Sequence, residues 1–411
     1  MEIVHECCAG IDVHKKSVTV CLIKEGRKGE KKREIRTYST FTGELLKMRD
    51  WLVNANCRHV AMESTGVYWK PVFNIIEGDM NLMLVNAHHF RAVPGRKTDV
   101  KDSEWLAELL QHGLLKGSFI PPKPIRELRD LTRLRSRLIE DRTGISNRIL
   151  KVLEDANIKL SSVASDTFGA SGMEMLESII EGVDDPDVLA EMAKKRLREK
   201  IPQLRLALEG RVTEHHRFLL KTLLSHWHSL NGTISSLNRR IEEKMPPFEE
   251  EAQRICGHPG VDRCAAQNII GEIGVDMNVF PKAKNLASWS GICPGNNESG
   301  GKRRKEKTRK GSKCLRKTLV QCARSAGRTK TYLGAQYSRI ASRRGGKRAA
   351  VSVAHSILVD IYHILKEGVE YNELGSDYFD KLNQESLTRY HVKRLKDLGH
   401  IVTLERIPVA A

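Results

Sequence analysis

The sequence predicts an α/β domain at the N-terminus followed by a largely helical remainder. Up to about residue 117, short apolar stretches with strand-like alternation are interspersed with amphipathic segments of helical length. Three prolines, at positions 121, 122 and 124, then interrupt the pattern. Beyond them, apolar residues recur at steps of three and four over long segments. We therefore divide the 411 residues into segments 1–120, 121–249 and 250–411.

The first segment reads as a mixed five-stranded sheet. Three early strands in a meander, followed by strands alternating with helices, are typical of the ribonuclease-H-like fold, in which the ends of the first and fourth strands lie side by side. The predicted strands are Ala9–Val13, Ser17–Lys24, Glu34–Tyr38, His59–Met62 and Asn81–Val85. The predicted helices are Thr42–Val53, Val67–Ile76 and Asp99–Gln111.

The second segment contains two predicted long helices. One carries a seven-residue repeat with an extra leucine beside it, and the other ends at Pro246-Pro247. The repeat residues are Leu131, Leu138, Ile145 and Val152 with Leu134, and those of the second helix are Leu220, Leu223, Trp227, Leu230, Ile234, Leu237 and Ile241. These helices, in a coiled-coil arrangement, pair with each other or with a second subunit. Short helices are expected between them, over residues 161–210.

The third segment begins near Glu250. Its Gly257-His258-Pro259-Gly260-Val261 sequence before the apolar helix Ala265–Ile273 resembles a helix-hairpin-helix, whose glycine turn presents N–H groups to a phosphate. An ordinary turn between two helices has the same pattern. A Gly-rich loop from 291 to 301, a basic run from 302 to 317, an apolar helix over 349–365 and a strand-like Ile401–Leu404 follow.

The chain is strongly basic. It carries 69 Lys and Arg against 51 Asp and Glu, a net charge of +18, with a pI near 9.5. Such a charge favours a polyanionic partner through phosphate contacts and counterion release. Charge alone leaves nucleic acid and anionic lipid as alternatives.

The nine cysteines are an odd number and show no zinc-knuckle spacing, which indicates reduced thiols. The N-terminus has no secretory pattern, and no apolar run approaches the roughly 18 residues of a membrane span. We expect an intracellular, cytoplasmic protein.

Four acidic residues occupy positions suited to phosphodiester chemistry. Asp12 lies in the first strand, Glu63 ends the fourth, and Asp99 and Asp102 lie three apart where a helix begins. Two-metal cleavage needs carboxylates from separate segments to converge on metals roughly 3.5–4 Å apart. Hard oxygen ligands imply Mg²⁺ or Mn²⁺.

Each of these carboxylates also has a simpler interpretation. Asp12 fits an edge-strand turn, Glu63 a solvated loop, and the two helical Asp residues fit capping and dipole compensation. However, all four lie at the strand-one, strand-four and last-helix positions that the ribonuclease-H-like fold uses to bind metal. This coincidence favours a catalytic role over four unrelated structural roles. For the nearby histidines we expect surface or loop positions; they are His14, His88 and His89.

An ordered set of motifs resembles the DEDD family of bacterial insertion-sequence transposases, the one-ten family. The motifs are Ala9-Gly-Ile-Asp-Val-His-Lys, Met62-Glu-Ser-Thr-Gly, Lys97-Thr-Asp-Val-Lys-Asp, Trp289-Ser-Gly-Ile-Cys-Pro-Gly, Glu298-Ser-Gly-Gly-Lys, Asp377-Tyr-Phe-Asp and Leu398-Gly-His-Ile-Val-Thr-Leu. Together they span essentially the whole chain. The stretch Gly311-Ser-Lys-Cys-Leu-Arg departs mildly from the family's usual Gly-Asn before Leu-Arg.

The resemblance implies a RuvC-like N-terminal nuclease domain working with a C-terminal transposase domain that supplies a nucleophilic serine. By motif that serine is Ser299, and Ser290 and Ser312 are competing hydroxyls at non-matching positions. A serine nucleophile would conserve the phosphodiester energy in a phosphoserine link.

The resemblance also implies an element-encoded guide RNA, recognised by shape and backbone while base pairing selects donor and target DNA. The basic run fits phosphate neutralisation, although a solvated loop has the same composition. Its residues are Lys302, Arg303, Arg304, Lys305, Lys307, Arg309 and Lys310.

The expected function is therefore a metal-dependent DNA transposase of a bacterial insertion sequence, acting at the nucleoid as a dimer or tetramer. One subunit's serine is expected to complete another subunit's metal site. The alternatives are a junction-resolving nuclease without a covalent intermediate and a non-catalytic nucleic-acid-binding protein. An actin-like sugar kinase would need a Gly-rich phosphate loop after the first strand, which the sequence lacks.

Overall fold

The structure is a computed structural model that describes residues 2–25, 31–64, 66–86, 102–293, 298–299, 302–303, 308, 311–382 and 384–405. Its Cα positions divide into two compact units, Met1–Ile120 and Pro121–Ala411. Each unit is described by itself.

The first unit is built on a five-stranded mixed sheet. Its strands are β1 (Cys7–Val13), β2 (Ser17–Glu25), β3 (Lys31–Ser39), β4 (His59–Glu63) and β5 (Asn81–Val85). The spatial order is β3-β2-β1-β4-β5, with β1, β2 and β3 antiparallel and β4 parallel to both β1 and β5. All five predicted strands are present, and the predicted adjacency of the first and fourth strands is confirmed.

Alternation along β1 separates two cores. Ala9, Ile11 and Val13 belong to the core on one face of the sheet, together with buried side chains of α1 (Thr42–Asn54) and α2 (Trp69–Ile76). Cys8 belongs to the other face, which is covered by α3 (Asp102–Gln111). Because side chains on a strand alternate in direction, Gly10 and Asp12 lie on the α3 face as well. The predicted start of this helix, residues 99–101, lies outside the described residues.

The second unit is helical. Its longest helices are α4 (Lys123–Asp155) and α9 (Glu214–Lys244). Between them lie α5 (Leu160–Val163), α6 (Ala170–Glu181), α7 (Pro186–Glu191), a 3₁₀ turn (Lys195–Lys200) and α8 (Ile201–Leu208). After α9 come a 3₁₀ turn (Pro246–Phe248), α10 (Glu249–Cys256), α11 (Arg263–Ile273), a 3₁₀ turn (Met277–Val279) and α12 (Ala283–Ser290). The strands β6 (Glu298–Ser299) and β7 (Lys302–Arg303) precede α13 (Lys313–Ala326), α14 (Tyr332–Arg344), α15 (Gly346–Glu367), α16 (Tyr378–Leu382) and α17 (Gln384–Asp397).

The two long helices pair with each other in an antiparallel arrangement. At one end Lys244 Nζ lies 2.7 Å from Glu127 Oε2, and further along α4 the Trp227 Nε1 donates to Ser146 Oγ at 3.0 Å. The later contact residue on α4, Ser146, therefore meets the earlier contact residue on α9, Trp227, as expected for antiparallel helices. Of the two arrangements that the sequence left open, the intrachain pair is present.

The seam between these helices differs from the predicted repeat. In the later half of α4, Ile145, Ile149 and Leu153 are buried, but in the earlier half Thr132 and Arg135 occupy buried positions and Leu134 is 44% exposed. Arg135 bonds to the side-chain oxygens of Gln267 and Asn268 on α11, at 2.7 and 2.9 Å. A third helix therefore covers this half of α4 through polar contacts, which an apolar repeat does not reveal.

The glycine turn between α10 and α11 is used for packing. A Cβ at Gly260, whose φ is +81°, would lie 2.5 Å from the Cys322 carbonyl of α13. The N–H groups of Gly257, His258 and Val261 donate to carbonyls of the same segment. This geometry argues against presentation of those N–H groups to a phosphate and favours the ordinary turn between two helices.

Two further expectations concern the C-terminal part. The segment Ile401–Leu404 forms no strand; Ile401 is 99% exposed and pairs with no neighbouring strand among the described residues. In contrast to the sequence-based expectation, α15 is long and apolar enough to cross a membrane, but half of its apolar window is buried. Ala350, Val353 and Ile357 are among its buried residues, as in the core helix of a helical unit.

Candidate active site

Two of the predicted carboxylates lie on neighbouring strands. In the parallel pair β1–β4, Ile11 is in register with Met62, so the following residues, Asp12 and Glu63, are adjacent. Both are an even number of residues beyond Cys8 and Ala61, which belong to the core under α3. Asp12 and Glu63 therefore lie on the same face of the sheet, at the carboxyl ends of their strands.

Gly10 brings the third carboxylate to this face. A Cβ at Gly10 would lie 2.2 Å from the Ser103 carbonyl oxygen and 2.5 Å from the Ala107 nitrogen, both in α3. Only glycine permits so close an approach of helix and strand. Because Asp102 immediately precedes Ser103, the first turn of α3 lies over β1 two residues from Asp12. Gly10 is not among the predicted site residues, although a glycine among apolar strand residues is a signal for close backbone approach.

The environments of these carboxylates differ. Glu63 is only 7% exposed, whereas the Asp12 side chain is 18% exposed and its Oδ2 lies 3.1 Å from Nε2 of His14. The His14 ring is 63% exposed, as expected for a surface histidine, yet it contacts a predicted site residue. Carboxylate oxygens are the ligand type that a hard divalent cation prefers.

The predicted quartet is only partly described. Asp99, His88 and His89 lie outside the described residues. Within the described part of the chain, no group of three or more His, Cys, Asp and Glu side chains is close enough to hold a metal ion. The site therefore consists, so far as it is described, of Asp12 and Glu63 side by side with Asp102 at the start of the covering helix.

Ser299 lies in a short hairpin. Its strand β6 pairs antiparallel with β7, with Ser299 opposite Lys302 and Glu298 opposite Arg303. The two residues between the strands, Gly300 and Gly301, lie outside the described residues, as do Arg304, Lys305, Lys307, Arg309 and Lys310 of the predicted basic run. The Gly-rich loop predicted over residues 291–301 therefore contains a strand, and two glycines between short segments are a hairpin signal.

The segment that carries Ser299 is closed at its base. A Cβ at Gly311 would lie 2.3 Å from the Ser290 carbonyl carbon and 2.4 Å from the Gly291 nitrogen. The chain therefore leaves α12 and returns towards α13 at nearly the same place. This contact fixes both ends of the segment 291–311 on the helical unit.

A buried carboxylate holds the returning end. Glu272 of α11 is 2% exposed and accepts a hydrogen bond from Ser312 Oγ at 2.8 Å. Arg133 of α4 donates to both Glu272 oxygens, at 2.6 and 2.9 Å. Ser312 in turn accepts from the Leu315 N–H at 3.2 Å and caps α13. The hairpin segment is thereby connected to the long helix α4.

Burial and ion pairing shift the pKa values of the two arginines around Glu272 in opposite directions. The hydrogen bonds with Glu272 raise the pKa of Arg133. Burial lowers the pKa of Arg129 to about 10, while its guanidinium donates to the carbonyls of Gly271 and Glu272 at 2.9 and 2.6 Å. Both arginines remain cationic near neutral pH and stabilise the end of α11 next to the hairpin segment.

The two competing hydroxyls have structural contacts. Ser290 is fully buried, and its Oγ donates to the Ala287 carbonyl at 2.9 Å. Ser312 is engaged by Glu272 and by the first turn of α13. Neither is placed to react with a bound polymer without losing these bonds.

Comparison with known proteins places this arrangement in a family. A DEDD transposase model of the IS110 type matches residues 9–158, and the model for the transposase IS116/IS110/IS902 family matches residues 252–338. The first match covers Asp12, Glu63, Asp99 and Asp102, and the second covers Ser299. Together the two matches include more than half of the chain.

Two curated relatives are similar along much of their length. The transposase for insertion sequence element IS1111A of Coxiella burnetii is 22% identical over 373 residues, covering 88% of this chain and 90% of the relative. A Pseudomonas aeruginosa protein named "Probable family 20 transposase" is 23% identical over 239 residues, covering 57% of this chain and 61% of the relative. The matched DEDD domain implies a ribonuclease-H-like fold, which is consistent with the mixed sheet and its covering helices. The chain therefore belongs to the IS110 family of insertion-sequence transposases and is a DNA-recombining enzyme.

Proposed function

We propose that this transposase cuts and exchanges DNA strands with Asp12, Glu63, Asp99 and Asp102 as its metal-holding carboxylates and Ser299 as its nucleophile. The supporting observation is the adjacency of Asp12 and Glu63 on parallel strands, beneath the helix that begins at Asp102. In this proposal residues 1–120 act as a RuvC-like nuclease domain, 121–249 as a helical connection and 250–411 as the transposase domain.

The donor set fits a divalent cation of the Mg²⁺ or Mn²⁺ type. Its ligands are carboxylate oxygens, and the 93% buried Glu63 supplies negative charge in a region of reduced solvent screening. When bound, such a cation lowers the energy of charge developing on the phosphate oxygens. His14, in contact with Asp12, orients that carboxylate.

The serine would form a transient covalent link to DNA. Ser299 Oγ attacks the phosphorus, the strand oxygen leaves and takes up a proton, and one phosphodiester is replaced by another. A hydroxyl from the exchanged strand then reverses the step and releases Ser299. Because the number of phosphodiester bonds is conserved, strand exchange needs no external energy source.

An element-encoded RNA would guide this reaction. The basic run around the hairpin is placed in sequence directly after Ser299, and Lys302 pairs with Ser299 across the two strands. Basic residues so close in sequence to the proposed nucleophile suit neutralisation of a nucleic-acid backbone without base reading. Selection of donor and target DNA would then come from base pairing with the RNA.

The covalent link provides the decisive test. Wild-type protein, Ser299→Ala and the control Ser338→Ala, whose serine is an exposed residue of α14, are incubated with end-labelled donor DNA, guide RNA and Mg²⁺. We expect a protein–DNA adduct that survives denaturing electrophoresis with wild type and Ser338→Ala and is absent with Ser299→Ala. Cut DNA without any adduct from the wild-type chain would favour the junction-resolving nuclease and refute the serine mechanism.

A further inference from the structure

We propose that the corner between α14 and α15 is a second nucleic-acid site, in which Arg343, Arg344 and Arg348 clasp one backbone phosphate. The three arginines and Ser352 line a cavity of about 310 Å³ together with Ile340. This extends the proposed function, since it assigns a binding site for the polymer outside the hairpin segment. It concerns residues beyond the predicted basic run.

The charges in this cavity are not neutralised by the protein. Between residues 307 and 359 the chain has fourteen Lys and Arg residues and no Asp or Glu. Among the described residues, no carboxylate lies within ion-pairing distance of the three arginines, whereas neighbouring Arg339 is paired with Asp380 at 3.0 Å. The cavity therefore concentrates positive potential that an anion would relieve.

Helix stability does not account for all three arginines. Arg343 and Arg344 end α14, where cations interact favourably with the helix dipole, but Arg348 lies in the first turn of α15, where a cation is unfavourable. That first turn contains no acidic residue. An arginine that opposes the dipole and faces two like charges is expected where an external anion binds.

The corner is held in place from the inside. Gly345, with φ of +80°, is the one residue between the two helices, and Tyr337 OH donates to the Gly346 carbonyl at 3.3 Å. Ala349 and Ala350, directly after Arg348, are buried. The backbone that carries the arginines is thus fixed before a ligand arrives, which reduces the entropy lost on binding.

The lining fits a nucleotide backbone unit. Planar guanidinium groups match phosphate oxygens in bidentate hydrogen bonds, Ser352 adds a hydroxyl donor, and half-buried Ile340 offers an apolar surface to a sugar ring. Arginine can also read guanine O6 and N7, but three guanidinium groups that hold one phosphate are occupied by the backbone. In that arrangement the site would contribute affinity through the backbone and not through base edges.

The test is nucleic-acid binding by the full chain in EDTA, which separates binding from strand cleavage. The variant Arg343→Gln/Arg344→Gln/Arg348→Gln is compared with the control Arg148→Gln/Lys151→Gln/Arg239→Gln, which removes the same charge from exposed positions on α4 and α9. Fluorescently labelled duplex DNA and a hairpin RNA of equal length serve as two probes across a range of salt concentrations.

We expect the cavity variant to bind one or both probes about tenfold more weakly, with the slope of log Kd against log salt reduced by about one, the value for a single phosphate contact. The affected probe identifies the polymer that uses the site. An Arg→Lys version of the same triple variant should recover the salt slope because it keeps the charges.

Unchanged binding of both probes by a variant with wild-type circular dichroism would overturn the proposal. So would an equal loss in the control, or an Arg→Lys variant that fails to recover the slope. The result is independent of Ser299, because the assay requires no covalent step; loss of the adduct and loss of this affinity are separate outcomes.

Discussion

At the scale of single residues, the missing side chain of Gly10 determines where Asp102, a proposed metal ligand, lies. Gly10 allows the backbone of α3 to lie against β1, and α3 begins at Asp102. The carboxylates of Asp12 and Glu63 then face the start of this helix. Site geometry therefore depends on a residue that has no functional group.

We expect Gly10→Ala to lower the free energy of unfolding by about 1–3 kcal/mol, because the new methyl group would overlap the Ser103 carbonyl and displace α3. Strand cleavage should fall further than stability alone explains, since Asp102 moves with the helix. Urea unfolding and cleavage of donor DNA measure the two effects.

Gly43→Ala is the matched control. Gly43 is exposed in α1, and a Cβ there would meet no atom within 4 Å. We expect wild-type activity and a stability equal to that of the wild type or up to about 1 kcal/mol higher, because alanine favours the helix more than glycine does. A Gly10→Ala protein as stable and active as Gly43→Ala would contradict the packing role.

The positions of Asp12 and Glu63 could be predicted from the sequence because side chains on a strand alternate with a period of two residues. Alternation in the first and fourth strands placed Asp12 and Glu63 near the ends of those strands, and the structure has them adjacent. Gly10 was missed because a glycine in a strand shows its purpose only when the neighbouring helix is known. The role of each carboxylate in catalysis stays a prediction.

At the scale of elements, the hairpin that carries Ser299 depends on contacts made outside it. Gly311 lies against the end of α12, and Ser312 bonds to Glu272, which Arg133 holds from α4. Three helices thereby hold the two ends of the segment 291–311, which contains the hairpin.

We expect Glu272→Gln to destabilise the protein by about 2 kcal/mol. Removing one partner of a buried pair costs about 3–5 kcal/mol, and the smaller figure applies because the Arg133 side chain is 37% exposed and solvent screens it. Yield of the covalent DNA adduct should also fall, since the Ser312 end of the segment loses its charged acceptor. Denaturant unfolding and adduct yield are the measurements.

Glu243→Gln provides the comparison, because Glu243 pairs with Arg240 on the surface of α9 and should change stability by less than 0.5 kcal/mol. Combining Glu272→Gln with Arg133→Gln should cost less than the sum of the single changes. Strictly additive costs would show that the two side chains are not coupled.

Elements with a long apolar period were predicted well, and those defined by polar contacts were not. Both long helices and the five strands are present. The predicted apolar seam was wrong for the earlier half of α4, because Arg135 is buried there among amide oxygens. The predicted strand Ile401–Leu404 was wrong because no second strand pairs with it in the described chain. Propensity identifies a segment that can form a strand, but pairing requires a partner.

At the scale of the whole molecule, the proposed metal ligands and the proposed nucleophile belong to different compact units. Asp12 lies in Met1–Ile120 and Ser299 in Pro121–Ala411. This division allows a complete active site to be assembled from two chains.

If sites are shared in that way, mixing Asp12→Ala and Ser299→Ala chains should restore activity that neither variant has alone. In a dimer with two such sites, random mixing leaves one intact site in half of the assemblies. Donor-DNA recombination over a series of mixing ratios measures this, with an Asp12→Ala/Ser299→Ala chain mixed with Asp12→Ala as the control. Complete inactivity at every ratio would show that each chain uses its own serine.

Family membership was recognisable from the sequence because the motifs occur in a fixed order over the full length. The guide RNA and the nucleophilic serine were inferred through that resemblance, whereas the metal was inferred from the carboxylate oxygens and a second subunit from the long helices. The arginine cavity could not be foreseen, because it is formed by the end of one helix and the start of the next.

The antiparallel pairing of α4 and α9 has a consequence for evolution of the family. At 1.5 Å per residue, Ile145 and Leu153 lie about 27 and 39 Å along α4 from Glu127, so the two helices carry the core of residues 145–224 that far from the Glu127–Lys244 pair. Because the two helices are antiparallel, α9 ends at Lys244 next to the beginning of α4 at Glu127. Lengthening or shortening both helices by whole turns would change this distance in increments of about 5.4 Å while leaving the Glu127–Lys244 end in place.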